Sequence, residues 1–373
     1  MGFMETFKIL WFNWRCWMNP LAGGAEIATY EIAKRIVKLG NSVHLICSGY
    51  PKCRKHEVID GIEVTRLGNS YSLYILAIFH YLKRLRGKYD VIVDEVNTIP
   101  FFTSVYIRNT PKIVYIHQVS AEEVKYCLPQ PLSALVCSWQ FLMPTMYKDS
   151  FFITVSPSTA IDLIKLGVPK QRIRIVWNGI NHKIYGPDSI KSPFPHILYV
   201  GRLKTYKRID DAIKAFNLVL KKIPNAKFSI VGRGDFEVEL KRLVKNLNLE
   251  NHVEFYGYVG EEMKVRLMQK AHVLVYPSIR EGFGLSIIEA AACGTPSVAY
   301  DVPGLRDSIR HRETGLLVPS GDVKALAEAL THLLTDDGLR EKLSKNALEW
   351  SRQFSWDKTA EEFLKIMNHV VEA

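Results

Sequence analysis

The chain has few of the groups that staple small secreted domains or build metal centres. Its six cysteines, at positions 16, 47, 53, 127, 137 and 293 of 373 residues, form no Cys-x-x-Cys pair and sit among apolar neighbours. That pattern excludes a disulfide framework or a zinc ribbon, and reduced core thiols in a cytoplasmic protein are expected. His, Cys, Asp and Glu nowhere gather at metal-ligand spacing, so no metal is expected at the site. The first residues enter the apolar run at 7–12 without a basic segment and a small-residue cleavage site, which argues against secretion. One charge-free stretch, 126–147, has the length of a membrane span, but Pro129, Gln130, Pro131, Gln140 and Pro144 interrupt it. A bilayer span must satisfy its backbone internally, so the stretch reads as a broken, aromatic-rich surface helix instead. A dinucleotide fingerprint is also missing. Asn13-Trp-Arg-Cys-Trp-Met-Asn-Pro20 stands between the first strand and Gly23-Gly24, which argues against an ordinary NAD oxidoreductase.

Charge is present in excess and unevenly. The net value is +11, and residues 1–190 hold 22 Lys and Arg against 14 Asp and Glu. Such a basic half suits an anionic membrane surface or a phosphorylated ligand. Nucleic acid is excluded, because the cations are scattered and accompanied by acids rather than gathered in an aromatic-laced stripe.

Apolar runs at 8–12, 43–47, 91–94, 113–116 and 152–155 read as strands, with helical periods between most of them. The clearest helix covers 25–39, stopped by Gly40. A second series of strands follows at 197–200, 228–231, 253–255, 273–276, 297–300 and 316–318, again with helical spacers. Alternation of this kind gives a parallel sheet covered by helices. The expected fold is therefore α/β, with two doubly wound Rossmann-like domains facing a central cleft. The expected bounds are 1–180 for the first domain, 181–195 for a Pro- and Gly-bearing linker, and 196–355 for the second domain. A final helix at 356–373 is long enough to cross back to the first domain. Ligands of doubly wound sheets bind beyond the carboxyl ends of the strands, so candidate chemistry is sought there.

Gly23 and Gly24 precede the helix at Ala25, where backbone amides can approach an anion. The strand at 197–200 ends in Gly201-Arg202, with Lys207 and Arg208 following before the next helix. Arg202 and Lys207 can neutralise a departing diphosphate. Gly232-Arg-Gly234 follows the next strand, where a nucleotide base or ribose can rest. In Glu281-Gly-Phe-Gly-Leu-Ser-Ile-Ile-Glu289, one acid precedes a Gly turn and another lies a helical turn beyond it. A carboxylate accepts two hydroxyls at once, so this pair suits the two ends of a nucleotide sugar, although each acid alone fits helix capping or a solvated face. His117 follows the strand at 113–116; a lone histidine in such a place is more often structural.

Taken together, Gly23-Gly24, His117, Gly201-Arg202 with Lys207, and above all the nine residues from Glu281 to Glu289 followed by Cys293-Gly-Thr-Pro, resemble the family 4 retaining glycosyltransferases over nearly the whole chain. The resemblance implies the GT-B fold, a UDP- or GDP-sugar donor as substrate rather than a cofactor, and retention without a metal. It implies that Arg202 and Lys207 bind the donor diphosphate, Glu281 the sugar hydroxyls and Glu289 the ribose. Gly282, Phe283, Gly284 and Leu285 complete the pocket, with Gly201 and Gly232 beside it. His117 reaches the sugar and Gly24 lies near the phosphates, while Asn178-Gly179 resembles the family's hinge. Asp301-Val-Pro303-Gly304 departs from the Gly-Gly that family members often carry, and Pro303 brings no amide. The expected activity is hexosyl transfer to an acceptor hydroxyl on a glycan or lipid-linked glycan, with peripheral contact to an anionic membrane. A sugar-nucleotide epimerase and a non-catalytic nucleotide-sugar-binding module are the alternatives.

Overall fold

The structure, a computed structural model, describes residues 6–119, 132–188 and 190–372. The chain divides into two compact units, residues 1–179 with 356–373, and residues 180–355. It crosses between them twice, and Ile180 and Ser355, the residues at those crossings, pair as an isolated parallel bridge inside the second unit.

The first unit is built on an eight-stranded sheet. Its strands are β1 (Lys8–Phe12), β2 (Ser42–Ser48), β3 (His56–Ile59), β4 (Ile62–Leu67), β5 (Val91–Glu95), β6 (Lys112–Ile116), β7 (Phe151–Thr154) and β8 (Ile173–Ile175). Their order is β3-β4-β2-β1-β5-β6-β7-β8, parallel throughout except for the β3–β4 hairpin. β1, β2 and β5 are almost wholly buried and read as continuous apolar runs, as strands covered on both faces must. β3, β4 and β8 were not expected. The hairpin turns at Asp60-Gly61, both at positive φ, the pair a tight two-residue turn favours.

The last helix, Trp356–Glu372, belongs to this first unit. It lays Phe363 flat on Trp11, with ring centres 5.2 Å apart, and against the edge of Tyr115 at 5.3 Å. Thr359 Oγ1 donates to the Trp177 carbonyl at 2.8 Å. The stretch 126–147, expected as a surface helix, lies outside the described residues as far as position 131; within them a helix covers Leu132–Met146, with Pro144 inside. Met143 and Tyr147 are buried and Phe141 points outward. Among the described residues no helix is long and apolar enough to cross a membrane.

The second unit is a six-stranded, wholly parallel sheet of β9 (His196–Val200), β10 (Lys227–Val231), β11 (Val253–Gly257), β12 (Val273–Tyr276), β13 (Ser297–Tyr300) and β14 (Gly315–Val318). The order β11-β10-β9-β12-β13-β14 is the doubly wound order, whose strand direction of growth reverses between β9 and β12. The segment at 181–195, read from its prolines as a linker, is part of this unit. Tyr185 is buried, and Lys191 Nζ donates to the carbonyls of Ala271 and Gly294 and to Thr295 Oγ1. Three acceptors from one unit hold that lysine in place, which composition alone does not reveal.

Candidate active site

The reversal point of the second sheet collects most of the residues singled out in the sequence. β9 leads into Gly201 and Arg202, a single 3-10 turn at Thr205–Lys207, and the helix Ile209–Leu220. β12 leads into the loop carrying Glu281 and then the helix Leu285–Ala292, whose first turn is entered from Gly284 in the left-handed region at φ 73°. Lys207 Nζ and Glu281 Oε1 meet as an ion pair between these two strand ends. The lysine is 5% exposed.

Burial alone pushes the Lys207 ammonium down, but the Glu281 carboxylate and the neighbouring Tyr206 and Tyr199 outweigh it and hold the pKa above its ordinary value. The site therefore keeps a full positive charge in a poorly hydrated place, where a fixed cation acts most strongly on a leaving anion. The Tyr206 and Tyr276 rings lie 5.2 and 5.5 Å from that ammonium. Arg202 is exposed, and its Nη2 donates to the Tyr206 hydroxyl at 3.0 Å.

The glycines beside the pair are dictated by close approach. Gly201 N–H donates to the Val231 carbonyl at 3.0 Å and Gly232 N–H to the Gly257 carbonyl at 2.8 Å, tying three strand ends into one floor. A Cβ on Gly232, whose φ is +138°, would fall 1.8 Å from the Gly201 oxygen. Phe283 is 2% exposed and packs edge-on against Phe354 at 5.1 Å, so it anchors the Gly turn.

Glu289 lies one turn into the helix, with its own set of partners. Lys264 Nζ reaches its two oxygens at 3.2 and 3.3 Å, and the Tyr185 hydroxyl donates to it at 3.1 Å. Burial lowers the Lys264 pKa and Glu289 and Glu261 raise it, with a net rise. Glu281 and Glu289 are thus each partly buried and each satisfied by a lysine. Sequence reading found the acids but not Lys264, Tyr185, Tyr206 or Tyr276. Tyr206 adjoins a singled-out lysine; the other three carry no local signal, since Lys264 comes from the helix Glu261–Lys270, Tyr276 from the end of β12 and Tyr185 from the segment before β9.

In the first unit, His117 leaves the end of β6, and its Nε2 stands 3.0 Å from Glu95 Oε1. Glu95 ends β5 and is wholly buried. Its other oxygen accepts from Trp11 Nε1 at 2.7 Å and from the Thr29 hydroxyl at 2.6 Å. The chain of bonds goes on through Asn13, which donates to Thr29 at 3.0 Å and accepts from Asn97 at 2.9 Å. A carboxylate only accepts, so it fixes the proton on Nε2 and leaves the Nδ1 lone pair as the imidazole's other face. Glu95 escaped notice, although two acids closing an apolar strand, Asp94-Glu95, were a visible signal. Asp94 is structural: it is wholly buried and accepts from Phe101 N, Thr103 and the Tyr147 hydroxyl. Gly23 caps the helix Gly24–Lys38, and its amide donates to Glu26 Oε2 at 2.7 Å. An anion drawn to Gly23 would have to displace that carboxylate.

With this geometry in hand, the kinship of the chain is plain at the level of class. Residues 22–184 match the Glycosyltransferase Family 4 domain, and residues 186–350 match the glycosyl transferases group 1. The chain belongs to the family 4 glycosyltransferases and has the GT-B fold. It is 28% identical to a glycosyltransferase of Methanocaldococcus jannaschii, over 95% of this chain and 97% of that one. A second relative, phosphatidyl-myo-inositol mannosyltransferase of Mycobacterium leprae, is 35% identical over 47% of this chain and 46% of its own length. Among solved structures, Anabaena HepE in complex with UDP and glucose aligns with a TM-score of 0.78 and 19% identity. That match covers 97% of this chain and all of the other.

Proposed function

We propose that this glycosyltransferase moves a hexosyl group from a UDP- or GDP-sugar to a hydroxyl of a glycan or lipid-linked acceptor, with retention and without a metal ion. The observation that carries the reading is the ion pair between buried Lys207 and partly buried Glu281 at the reversal point of the second sheet. A cation held charged there suits a diphosphate leaving group, and a carboxylate beside it suits sugar hydroxyls. Glu289, one helical turn on and partnered by Lys264 and Tyr185, is assigned to the ribose. The UDP and glucose in the HepE structure support the donor class, and the name of the M. leprae relative supports a lipid-linked acceptor.

In the step we propose, the acceptor oxygen bonds to the anomeric carbon on the face from which the diphosphate leaves. The carbon–oxygen bond to the phosphate breaks as the new bond forms, and a donor phosphate oxygen takes the hydroxyl proton. Arg202 and Lys207 receive the growing negative charge, a task for which one well-placed donor is worth about 100- to 1,000-fold in rate.

The test is release of nucleoside diphosphate from a panel of sugar nucleotides, with and without acceptor, with the product anomer read by NMR. Acceptor-dependent release with a retained anomer is expected, and Arg202→Ala and Glu281→Ala should abolish it while circular dichroism stays unchanged. Release or sugar isomerisation without acceptor would point to an epimerase, and near-wild-type transfer by both variants would remove the site assignment.

A further inference from the structure

One helix of the first unit is apolar on the face that should be polar. The helix Leu73–His80 continues directly into a π-helical turn, Tyr81–Leu85, closed by the Arg86 N–H on the Tyr81 carbonyl at 3.0 Å. Its inward face is accounted for. Leu73, Ala77, Tyr81 and Leu85 recur every four residues and pack with Leu10, Phe12, Ile46 and Ile92 of the sheet. The wider π turn keeps Tyr81 and Leu85 on that face, where an α-helix with the same spacing would rotate them away.

The outward face should then carry charged or polar side chains. It carries Ile75, Phe79 and Leu82 instead, spaced as one helical stripe and 62%, 56% and 44% exposed, with Leu76 beside them at 40% and Tyr71 before them at 91%. Directly after the stripe come Lys83, Arg84, Arg86 and Lys88, all exposed. None of these four takes part in an ion pair among the described residues, and no acid occurs from position 71 to 89. A helix C-terminus attracts cations on its own account, which explains Lys83 and Arg84. It does not explain Arg86 or Lys88, which lie past the last turn, or an outward stripe of isoleucine, phenylalanine and leucine.

We propose that this face is a membrane-docking surface for an anionic lipid bilayer, with Ile75, Phe79 and Leu82 entering the acyl boundary and the four cations meeting lipid phosphates. The partner is fixed by two demands that must be met together. An apolar stripe alone would suit another protein, and unpaired cations alone would suit any polyanion. A phospholipid surface offers hydrocarbon and negative charge within a few ångströms of each other, in the arrangement the helix presents. Docking of this kind is reversible, because the stripe is short and the electrostatic part weakens as salt rises.

The experiment is flotation of the full chain with vesicles of phosphatidylcholine alone or mixed with phosphatidylglycerol, at low and at high salt. It needs no sugar donor, so its outcome is independent of the proposed transfer reaction. Wild type should float with the anionic vesicles at low salt, weakly at high salt, and not with neutral ones. Replacing all four cations by serine should lower partitioning about a hundredfold or more. Ile75→Ser with Phe79→Ser should lower it about tenfold, with unchanged circular dichroism. Hydrogen–deuterium exchange on the unmodified chain supplies a check that needs no variant, since anionic vesicles should protect residues 73–88. The proposal fails if wild type does not float at low salt, or if vesicles protect a different segment. It also fails if the Ile75→Ser, Phe79→Ser variant floats like wild type, which would make the cluster a general polyanion site. Self-association in place of flotation, lost in that same variant, would make the stripe an interface between copies of the chain.

Discussion

Lys207 and Glu281 depend on each other in two distinct ways, and substitution can separate them. Glu281→Ala leaves a nearly buried ammonium with no carboxylate, which should cost about 3–5 kcal/mol of stability, seen as a lower urea midpoint. The double change Lys207→Met, Glu281→Leu removes both charges and should recover most of that stability, because an apolar pair of similar size is often as stable as a buried ion pair. It should nevertheless leave no transfer, so stability and activity part company in one variant. Under the proposed placing of His117 at the donor sugar, Glu95 is a positioning residue that acts through its contact with the imidazole. In Glu95→Gln an amide can donate as well as accept, and it no longer fixes the proton on Nε2. We expect kcat to fall about tenfold or more with KM for the donor little changed, the pattern of an interaction that matters in the transition state. Nitrogen NMR of His117 should show the tautomer shift, which a merely structural loss would not produce. An unchanged tautomer together with an unchanged kcat would remove Glu95 from the site.

At the scale of strands and turns, the floor formed by Gly201 and Gly232 should tolerate no side chain. Gly232→Ala places a methyl 1.8 Å from a backbone oxygen, at a φ that L-residues rarely adopt. A loss of about 2–4 kcal/mol is expected as a shifted denaturant midpoint with unchanged slope, together with weakened donor binding. Most of the elements that were legible in the sequence share one property. β1, β2, β5, β6, β7 and the four inner strands of the second sheet, β9, β10, β12 and β13, are almost wholly buried, so each appears as a short apolar run between helical periods, while the edge strands β11 and β14 are only partly buried and were legible from their short apolar runs alone. β3, β4 and β8 form the edges of the first sheet or adjoin one, and there His56, Glu57, Glu63 and Arg66 interrupt the apolar pattern. Asp60-Gly61 was the readable clue to the hairpin. The site shows the same division. Glu281 and Glu289 were visible because one Gly turn and one helical turn separate them. Lys264, Tyr185, Tyr276 and Glu95 were not, because only the folded sheet brings them to their partners.

Across the whole chain, the second unit carries a pH dependence that can be read in advance. His196 opens β9, is 8% exposed and hydrogen-bonds Ser229 Oγ at 2.8 Å. Burial lowers its pKa from 6.5 to about 4. Between those values the unfolded chain binds a proton that the folded chain refuses, so stability rises with pH across that window and is lost as pH falls. The effect at this residue is about 3 kcal/mol between neutral pH and pH 4. Urea unfolding of His196→Gln should show a shallower acid-side slope than wild type; an identical slope would assign the acid sensitivity to other groups. His44 in the first unit is lowered to about 4 by burial as well and adds a loss of the same sign.

The most direct measurement of the donor site is the shift in thermal midpoint on adding sugar nucleotides to the wild-type chain and to Glu281→Ala and Glu289→Ala. A ligand at about a hundred times its Kd stabilises the folded state by about 2.7 kcal/mol, well within reach of such a scan. A UDP- or GDP-sugar should raise the wild-type midpoint, free hexose should not, and the rise should vanish in both variants. No rise with any sugar nucleotide, or an equal rise in both variants, would contradict the assignment of Lys207, Glu281 and Glu289 to the donor.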